Sequence, residues 1–194
     1  MSWPKTIPLH LTAVALATLA AVVVGLATLP LDRTLLAAVL AALAAAITVE
    51  DWRHFRVPDL MNAVLALTGM IAFVVGVDPL GQDATRSLLT VVIDATLTGG
   101  ALLLVREGYF RLRGIEGLGL GDVKLAAAAG VWVGWQQFAL VVLLATLAAL
   151  FFVLLKTIRN GGWTASAHIP YASFLAPAIW FGWYIAQWSS LSFS

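Results

Sequence analysis

Most of the chain consists of long apolar runs that are separated by short polar segments. They cover roughly residues 9–29, 33–50, 59–77, 86–106, 122–134, 137–156 and 171–189. A helix that spans a bilayer needs about 20 mostly apolar residues, which six of the runs approach. The run 122–134 is too short to cross about 30 Å of hydrocarbon at about 1.5 Å per residue. The pattern predicts an all-α polytopic membrane protein with about seven helices, namely six full spans and one short helix.

Composition strengthens this interpretation. Hydrophobic residues make up 61% of the chain, charged residues 11%, and the mean hydropathy is +0.96. An ordinary soluble domain carries about 25% charged residues, so a water-soluble globule is excluded. With 194 residues, the spans leave no room for a separate soluble domain. The absence of cysteine excludes disulfides, thiolate zinc sites and a cysteine nucleophile, and no cofactor or metal is expected.

The first run invites comparison with a secretory signal peptide, because it follows Lys5. It is longer than a typical signal-peptide core, however, and it ends in Thr28-Leu29-Pro30 rather than in a small-x-small cleavage pattern. We therefore expect an uncleaved span.

The basic residues between the runs predict the orientation. With a cytoplasmic N-terminus, nine of the eleven lysines and arginines fall in cytoplasmic segments and two in outer ones. Cytoplasmic loops carry the excess of basic residues, so this orientation is favoured. The nine are Lys5, Arg53, Arg56, Arg106, Arg111, Arg113, Lys124, Lys156 and Arg159, and the two are Arg33 and Arg86.

A charged segment follows the second apolar run. Residues 50–59 read EDWRHFRVPD. Pro58 is suited to the start of the third helix, because a proline near the first helical position loses no hydrogen bond, and Asp59 favours a helix N-terminus. Asp51 is therefore expected at the end of one span, before a short basic loop.

A glycine-rich segment precedes the short helix. Residues 114–124 read GIEGLGLGDVK. Four glycines at spacings of three, two and two do not form a stable helix, so we expect extended or turned backbone until Asp122 opens the fifth helix. Irregular backbone near membrane depth must be buried in protein or line an aqueous cavity. A peptide substrate could lie alongside it.

Together these segments resemble the paired signature of type IV prepilin peptidases, which belong to the GxGD aspartyl proteases. The resemblance is carried by Asp51, seven residues before Pro58, and by the segment 119–124, GLGDVK. Residues 169–176, IPYASFLA, are similar to the family's Pro-Phe-Gly-Pro-Phe-Leu-Ala, with Ala172 and Ser173 in place of Gly-Pro. The likeness extends over roughly residues 33–180, with both aspartates on the same predicted side.

The resemblance implies that Asp51 and Asp122 are the catalytic pair of a membrane endopeptidase. The implied substrate is a prepilin or pseudopilin with a short basic leader, a glycine at the cut and then a hydrophobic helix. The site would face the cytoplasm from the bacterial inner membrane. The lipid bilayer is an expected partner, nucleic acid is not, and homo-oligomerisation is left open. Residues implied in motif support or substrate binding are Pro58, Gly119, Gly121, Lys124 and Pro170.

Larger members of that family begin with a cytoplasmic domain that bears two zinc-binding cysteine pairs and an N-methyltransferase activity. This chain has no cysteine, so it resembles the short, peptidase-only form that serves Flp or Tad pili. We expect a single membrane-embedded domain over 1–194, in which 1–32 form an extra N-terminal span and 33–190 the family core.

Two neighbouring carboxyl groups could divide the work of peptide hydrolysis. One removes a proton from water while the other protonates the scissile carbonyl, because a pair that repels keeps one member protonated. Which aspartate starts as the base stays open, since a coupled pair titrates as a unit.

Other acidic residues have simpler interpretations. Glu50 and Asp59 are rivals for the first catalytic position, but Glu50 would point about 100° away from Asp51 on the helix and Asp59 suits a helix start. Asp94 lies inside the fourth span, where ionisable residues are costly, and we expect it to be protonated or hydrogen-bonded to a neighbouring helix. Asp122 alone could be a helix cap, and Lys124 is expected to reach the cytoplasmic surface.

Two other functions remain possible on sequence grounds. A small ion-coupled transporter or channel would relay ions through Asp51, Asp94 and Asp122, but it predicts an internal repeat and none is apparent. A catalytically inactive scaffold for pilus assembly would keep the same fold and both aspartates.

Overall fold

The computed structural model describes residues 9–81, 86–160 and 169–192. In these ranges the chain forms six helices and no strand: α1 Leu9–Thr28, α2 Leu31–His54, α3 Asp59–Val74, α4 Leu88–Arg113, α5 Leu120–Asn160 and α6 Ala172–Ser192. Three of the described helices, α2, α4 and α5, are long and apolar enough to cross a membrane. The prediction of an all-α membrane protein is confirmed. Lys5, which was counted in the predicted orientation, lies outside the described residues.

The longest helix, α5, consists of two segments that meet at Gly134. This residue has φ 64° and ψ 168°, a conformation that is essentially restricted to glycine. The segments run in opposite directions. Asp122 in the first and Phe152 in the second both lie near the C-terminal end of α2, where the Phe152 ring is 5.3 Å from that of Trp52. The predicted helices 122–134 and 137–156 correspond to these segments, so the count of six described helices differs from the seven expected only because α5 contains two of them.

Polar side chains satisfy the backbone at this reversal. The segment 120–133 rises only about 21 Å, so its end lies short of the far edge of the hydrocarbon. Arg86 donates to the carbonyls of Val131 at 2.9 Å and Gly130 at 3.2 Å. The Trp135 N–H, at the start of the next segment, donates to Asp94 Oδ1 at 3.2 Å. Unpaired backbone groups in a membrane cost several kcal/mol each, about 2–7 by transfer data, so these bonds make the break possible.

The first segment of α5 packs closely against α4. A Cβ on Gly99 would lie 2.8 Å from the Ala127 Cβ, and one on Gly130 would lie 2.5 Å from Thr98 Oγ1. Small residues let two membrane helices approach closely. This contact sets the position of the segment that begins beside Asp122.

Several helices continue beyond the apolar runs that predicted them. α4 ends at Arg113 rather than at residue 106, and α2 ends at His54 rather than at residue 50. α5 begins at Leu120, two residues before the predicted start at Asp122. Hydropathy marks only the part of a helix that suits hydrocarbon, whereas backbone hydrogen bonding continues into the polar ends.

Candidate active site

Asp51 lies in the last turn of α2, and its residue surface is only 4% exposed. The helix ends because Phe55 adopts a left-handed conformation, with φ 50°, and donates its N–H to the Asp51 carbonyl at 2.8 Å. The Asp51 side chain is held by the start of α6. Its Oδ2 accepts hydrogen bonds from Ser173 N at 2.8 Å and from Ser173 Oγ at 3.1 Å.

Asp122 lies in the first turn of α5 and is 9% exposed. Its Oδ2 accepts a hydrogen bond from Gly119 N at 3.2 Å. A carboxylate at the third helical position that reaches back to the capping residue is half of a capping box. The helix-cap interpretation of Asp122 therefore describes a real contact. It leaves the rest of the carboxyl group available for other interactions.

The two carboxyl groups lie at the same end of the bundle. Asp51 acts on Asp122 electrostatically, although the two residues belong to different helices. The segment after Asp51 and the start of α3 contact the start of α5: Gly121 lies against Val57, and Asn62 Nδ2 donates to the Gly121 carbonyl at 3.3 Å. In the part of the chain that the structure describes, no lysine or arginine forms an ion pair with either aspartate.

Tyr171 borders the pair in the segment before α6. Its hydroxyl lies 3.4 Å from Thr146 Oγ1, and Asp122 acts on it electrostatically. Burial, and to a smaller extent the charge of Asp122, raises the pKa of the Tyr171 hydroxyl above its ordinary value, so the group is a neutral donor near the two carboxyls. Sequence reasoning missed this role for Tyr171 and for Ser173, although both stand in the segment 169–176 that carried the resemblance.

The structure places most of the residues predicted to support the site at the end of the bundle where Asp51 and Asp122 lie. Pro58 precedes the first residue of α3 as expected. The Pro170 carbonyl accepts from Ser173 N at 3.2 Å, which links Pro170 to the residue that holds Asp51. A Cβ on Gly119 would lie 3.2 Å from Asp122 Oδ2, so glycine leaves room for the carboxyl. Gly121 contacts the segment after Asp51, as described above.

Lys124 is directed away from the aspartate pair. Its Nζ lies 2.7 Å from Asp59 Oδ1, and both side chains are substantially exposed. Lys124 thus pairs with Asp59 rather than with Asp122, and the sequence did not identify Asp59 as its partner.

The remaining acidic candidates are engaged elsewhere. Glu50 pairs with His54 on α2 at 3.1 Å. Asp94 is bonded to the α5 backbone and lies 2.9 Å from Arg86, which confirms the expected hydrogen bond to a neighbouring helix. Within residues 9–81, 86–160 and 169–192, no group of three or more His, Cys, Asp or Glu side chains could hold a metal ion.

The fold and the site together thus define a helical membrane protein with two buried, interacting carboxyl groups at one end. Comparison with known families specifies it further. The model of the type IV leader peptidase family matches residues 38–154, and the chain belongs to that family. No solved structure matches the chain.

Individual relatives agree with this assignment. The chain is 34% identical over 175 residues to a prepilin leader peptidase/N-methyltransferase of Aeromonas salmonicida strain A449, an alignment that covers 89% of the chain and 56% of the relative. It is 29% identical over 152 residues to the leader peptidase HopD of Escherichia coli, covering 78% of the chain and 90% of that relative. The chain therefore spans just over half the length of the larger relatives and matches a short one nearly end to end.

Proposed function

We propose that the protein is a membrane aspartyl endopeptidase that removes the basic leader from type IV prepilin-like substrates, with Asp51 and Asp122 as its catalytic residues. The observation that carries this proposal is the meeting of two buried carboxyl groups from α2 and α5 with no cation paired to either in the described part of the chain. Family membership supports the same activity, because relatives with this match are named prepilin leader peptidases.

A carboxyl pair of this kind supports hydrolysis without a covalent intermediate. One carboxylate takes a proton from water as the water attacks the scissile carbonyl, and the other carboxyl protonates the carbonyl oxygen. Two carboxyls that share a site do not both ionise readily, which supplies one base and one acid at the same pH. The buried Tyr171 hydroxyl adds a donor beside the pair.

The non-helical segment before α5 suits an extended peptide. Residues 114–119 connect α4 to α5 without helical structure and are mostly exposed. Gly119 and Gly121 carry no side chain between this segment and Asp122, so a substrate strand can approach the carboxyl and pair with free backbone groups. Pro58 and Pro170 fix the starts of α3 and α6. Lys124 pairs with the exposed Asp59 and is directed away from the two carboxyls.

The substrate's hydrophobic helix would lie in the bilayer, with its leader at the rim where the pair lies. The excess of basic residues in the segments at that end supports a cytoplasmic position for the rim, and the proposed membrane is the bacterial inner membrane. We take residues 33–190 as the peptidase core and residues 1–32 as an additional span of the same single domain. A homo-oligomer is compatible with this arrangement, and neither cofactor nor nucleic acid enters the reaction.

The test is co-expression of the full chain with a pilin precursor, with leader loss followed by the shift in electrophoretic mobility. Asp51→Asn and Asp122→Asn should each reduce cleavage by at least about 10²-fold, the lower end of what acid–base catalysis contributes. Asparagine keeps the size of the side chain but is neither base nor acid.

Asp59→Asn is the matched control, because Asp59 is an aspartate near the same end of the bundle that is exposed and paired with Lys124. It should leave cleavage within a few-fold of wild type. If precursor is still processed by either the Asp51 or the Asp122 variant, the catalytic assignment is wrong.

A further inference from the structure

The two aspartates receive unequal numbers of hydrogen bonds. Asp51 Oδ2 accepts two hydrogen bonds, one from Ser173 N and one from Ser173 Oγ. Asp122 accepts from Gly119 N. Asp122 lies in the first turn of α5, whereas Asp51 lies between the last turn of α2, whose dipole disfavours a negative charge, and the start of α6, whose dipole favours one. The helix dipoles therefore do not favour the charge on Asp51, but the number of hydrogen-bond donors does.

Hydrogen bonds donated to a carboxylate favour its charged form. They are also stronger than bonds between neutral partners. In a pair that holds one negative charge, the carboxyl with more donors retains that charge. The unequal contacts therefore determine which aspartate is ionised when water binds.

We propose that Ser173 is a positioning residue that keeps Asp51 ionised, so that Asp51 is the initial base and Asp122 the initial acid. This inference rests on the proposed function and adds the division of labour within the pair. Ser173 acts through Asp51 and need not touch the substrate.

The assignment gives a balanced sequence of proton transfers. Water loses a proton to Asp51 and its oxygen bonds to the scissile carbon, while Asp122 gives its proton to the carbonyl oxygen. Asp51 then protonates the leaving nitrogen as the C–N bond breaks. One hydroxyl of the intermediate returns its proton to Asp122, so the products are a carboxylic acid and an amine and both aspartates regain their starting states.

The Ser173 hydroxyl is suited to this cycle because it has two acceptors. Its Oγ lies 3.1 Å from Asp51 Oδ2 and 3.1 Å from the Thr48 carbonyl. A hydroxyl has one proton to donate. It can donate to Asp51 while that carboxylate is charged and turn to Thr48 once Asp51 has taken the proton from water. The serine thus supports the base without blocking its protonation.

Few other titratable groups face Asp51 in the described residues. Asp122 acts on Asp51 from α5, and Tyr171, in the segment before α6, interacts with Asp122. On α2, Glu50 and His54 pair with each other. From α3, Asp59 pairs with Lys124.

The first experiment measures kcat/KM for prepilin cleavage against pH, with the full protein in detergent or vesicles. At low pH the catalytic base becomes protonated and kcat/KM falls, and this fall is the acid limb of the profile. Ser173→Ala removes the hydroxyl and should move the acid limb up by about one pH unit, the size expected for one bond to a charged group. Activity on the acid side then falls about tenfold, whereas activity near the optimum changes little. Ser173→Thr retains the hydroxyl and should keep the wild-type limb.

Ser87→Ala is the matched control. Ser87 is also a serine at a helix N-terminus, where its Oγ accepts from Thr90 N, but it lies at α4, away from the pair. The acid limb of the Ser87→Ala protein should coincide with that of wild type. A purely structural role for Ser173 would scale activity equally at every pH, and that outcome, or an unmoved limb, overturns the inference.

An infrared titration gives a readout independent of cleavage. In Asp122→Asn protein, the carboxyl band that is missing from the Asp51→Asn/Asp122→Asn double variant reports Asp51 without coupling to its partner. Adding Ser173→Ala to Asp122→Asn should move the midpoint of this band up by about one pH unit, and an unchanged midpoint overturns the inference. If this shift is observed but the wild-type protein cleaves no prepilin, the proposed function is overturned, whereas the inference about the ionisation of Asp51 stands.

Discussion

Two pairs of buried aspartates lie at opposite ends of this bundle and differ in one respect. Asp78 and Asp94 each lie 2.9 Å from the guanidinium of Arg86, whose side chain is fully buried. Asp51 and Asp122 interact with each other, and none of the described lysines or arginines forms an ion pair with them. Arg33, near the start of α2, donates to the Asp78 carbonyl, and Asp51 is eighteen residues further along that helix, about 27 Å away.

The difference separates a structural cluster from the proposed catalytic pair. Burying a charge is costly unless an opposite charge and hydrogen bonds compensate it. Arg86 provides that compensation and also binds two backbone carbonyls, so this cluster stabilises the reversal of α5. The pair at the other end lacks a cation, which leaves a proton as the species that can relieve the repulsion. Exchange of that proton is what acid–base catalysis requires.

The structural cluster nevertheless contributes to the position of the candidate active site. Because α5 reverses at Gly134, its second segment returns to the end of the bundle where Asp51 lies. It brings Thr146 to Tyr171 and Phe152 to Trp52. The Asp94–Trp135 bond thus influences the surroundings of the aspartate pair from the opposite end of the bundle.

The largest expected effect on stability comes from removing the cation. Arg86→Met removes the guanidinium that Asp78 and Asp94 share and should lower the free energy of unfolding by about 3–5 kcal/mol. Thermal or SDS-induced unfolding in detergent measures the change. Asp51→Asn should leave stability equal to wild type or higher, since it removes a buried acid that pairs with no lysine or arginine in the described residues. Equal losses in the two variants would contradict the distinction drawn here.

A smaller effect is expected at the reversal itself. Gly134→Ala places a Cβ on a residue with φ 64°, 3.1 Å from Leu80 Cδ1, and should cost about 1–3 kcal/mol. Gly100→Ala on α4 is the control, because a Cβ there meets no atom within 4 Å; it should be neutral or slightly stabilising. Unfolding curves of the two alanine variants, measured side by side, test this. A Gly134→Ala protein as stable as Gly100→Ala would argue against a strained reversal.

The smallest effect should follow from breaking the exposed ion pair. Lys124→Met removes the contact with Asp59 and should change stability by about 0.2–1 kcal/mol, with less effect at high salt. Prepilin cleavage should stay within a few-fold of wild type, because Lys124 points away from the aspartate pair. A loss comparable to that of Asp122→Asn would mean that Lys124 acts on the substrate directly.

The sequence by itself determined the class of protein and the position of its helices. Transfer of apolar side chains into hydrocarbon is nearly additive along the chain, so hydropathy alone located the spans and even the short helix that ends near Gly134. Glycine spacing predicted the irregular segment before Asp122, because backbone freedom is a property of the residue itself. The two aspartate motifs could be recognised for the same reason, as patterns of neighbouring residues.

Only the tertiary structure decided how distant residues meet. The Ser173–Asp51 contact joins residues 122 positions apart, and Arg86 reaches a carbonyl 45 positions away. Hydropathy carries no information on such pairs, since it does not depend on which helix faces which. Packing decides three features of the fold. It reverses α5 at Gly134, it brings Arg86 to Asp78 and Asp94, and it buries Asp51 and Asp122 at the other end of the bundle. For that reason the sequence could suggest which aspartates react, while their unequal hydrogen bonding became visible only in the folded chain.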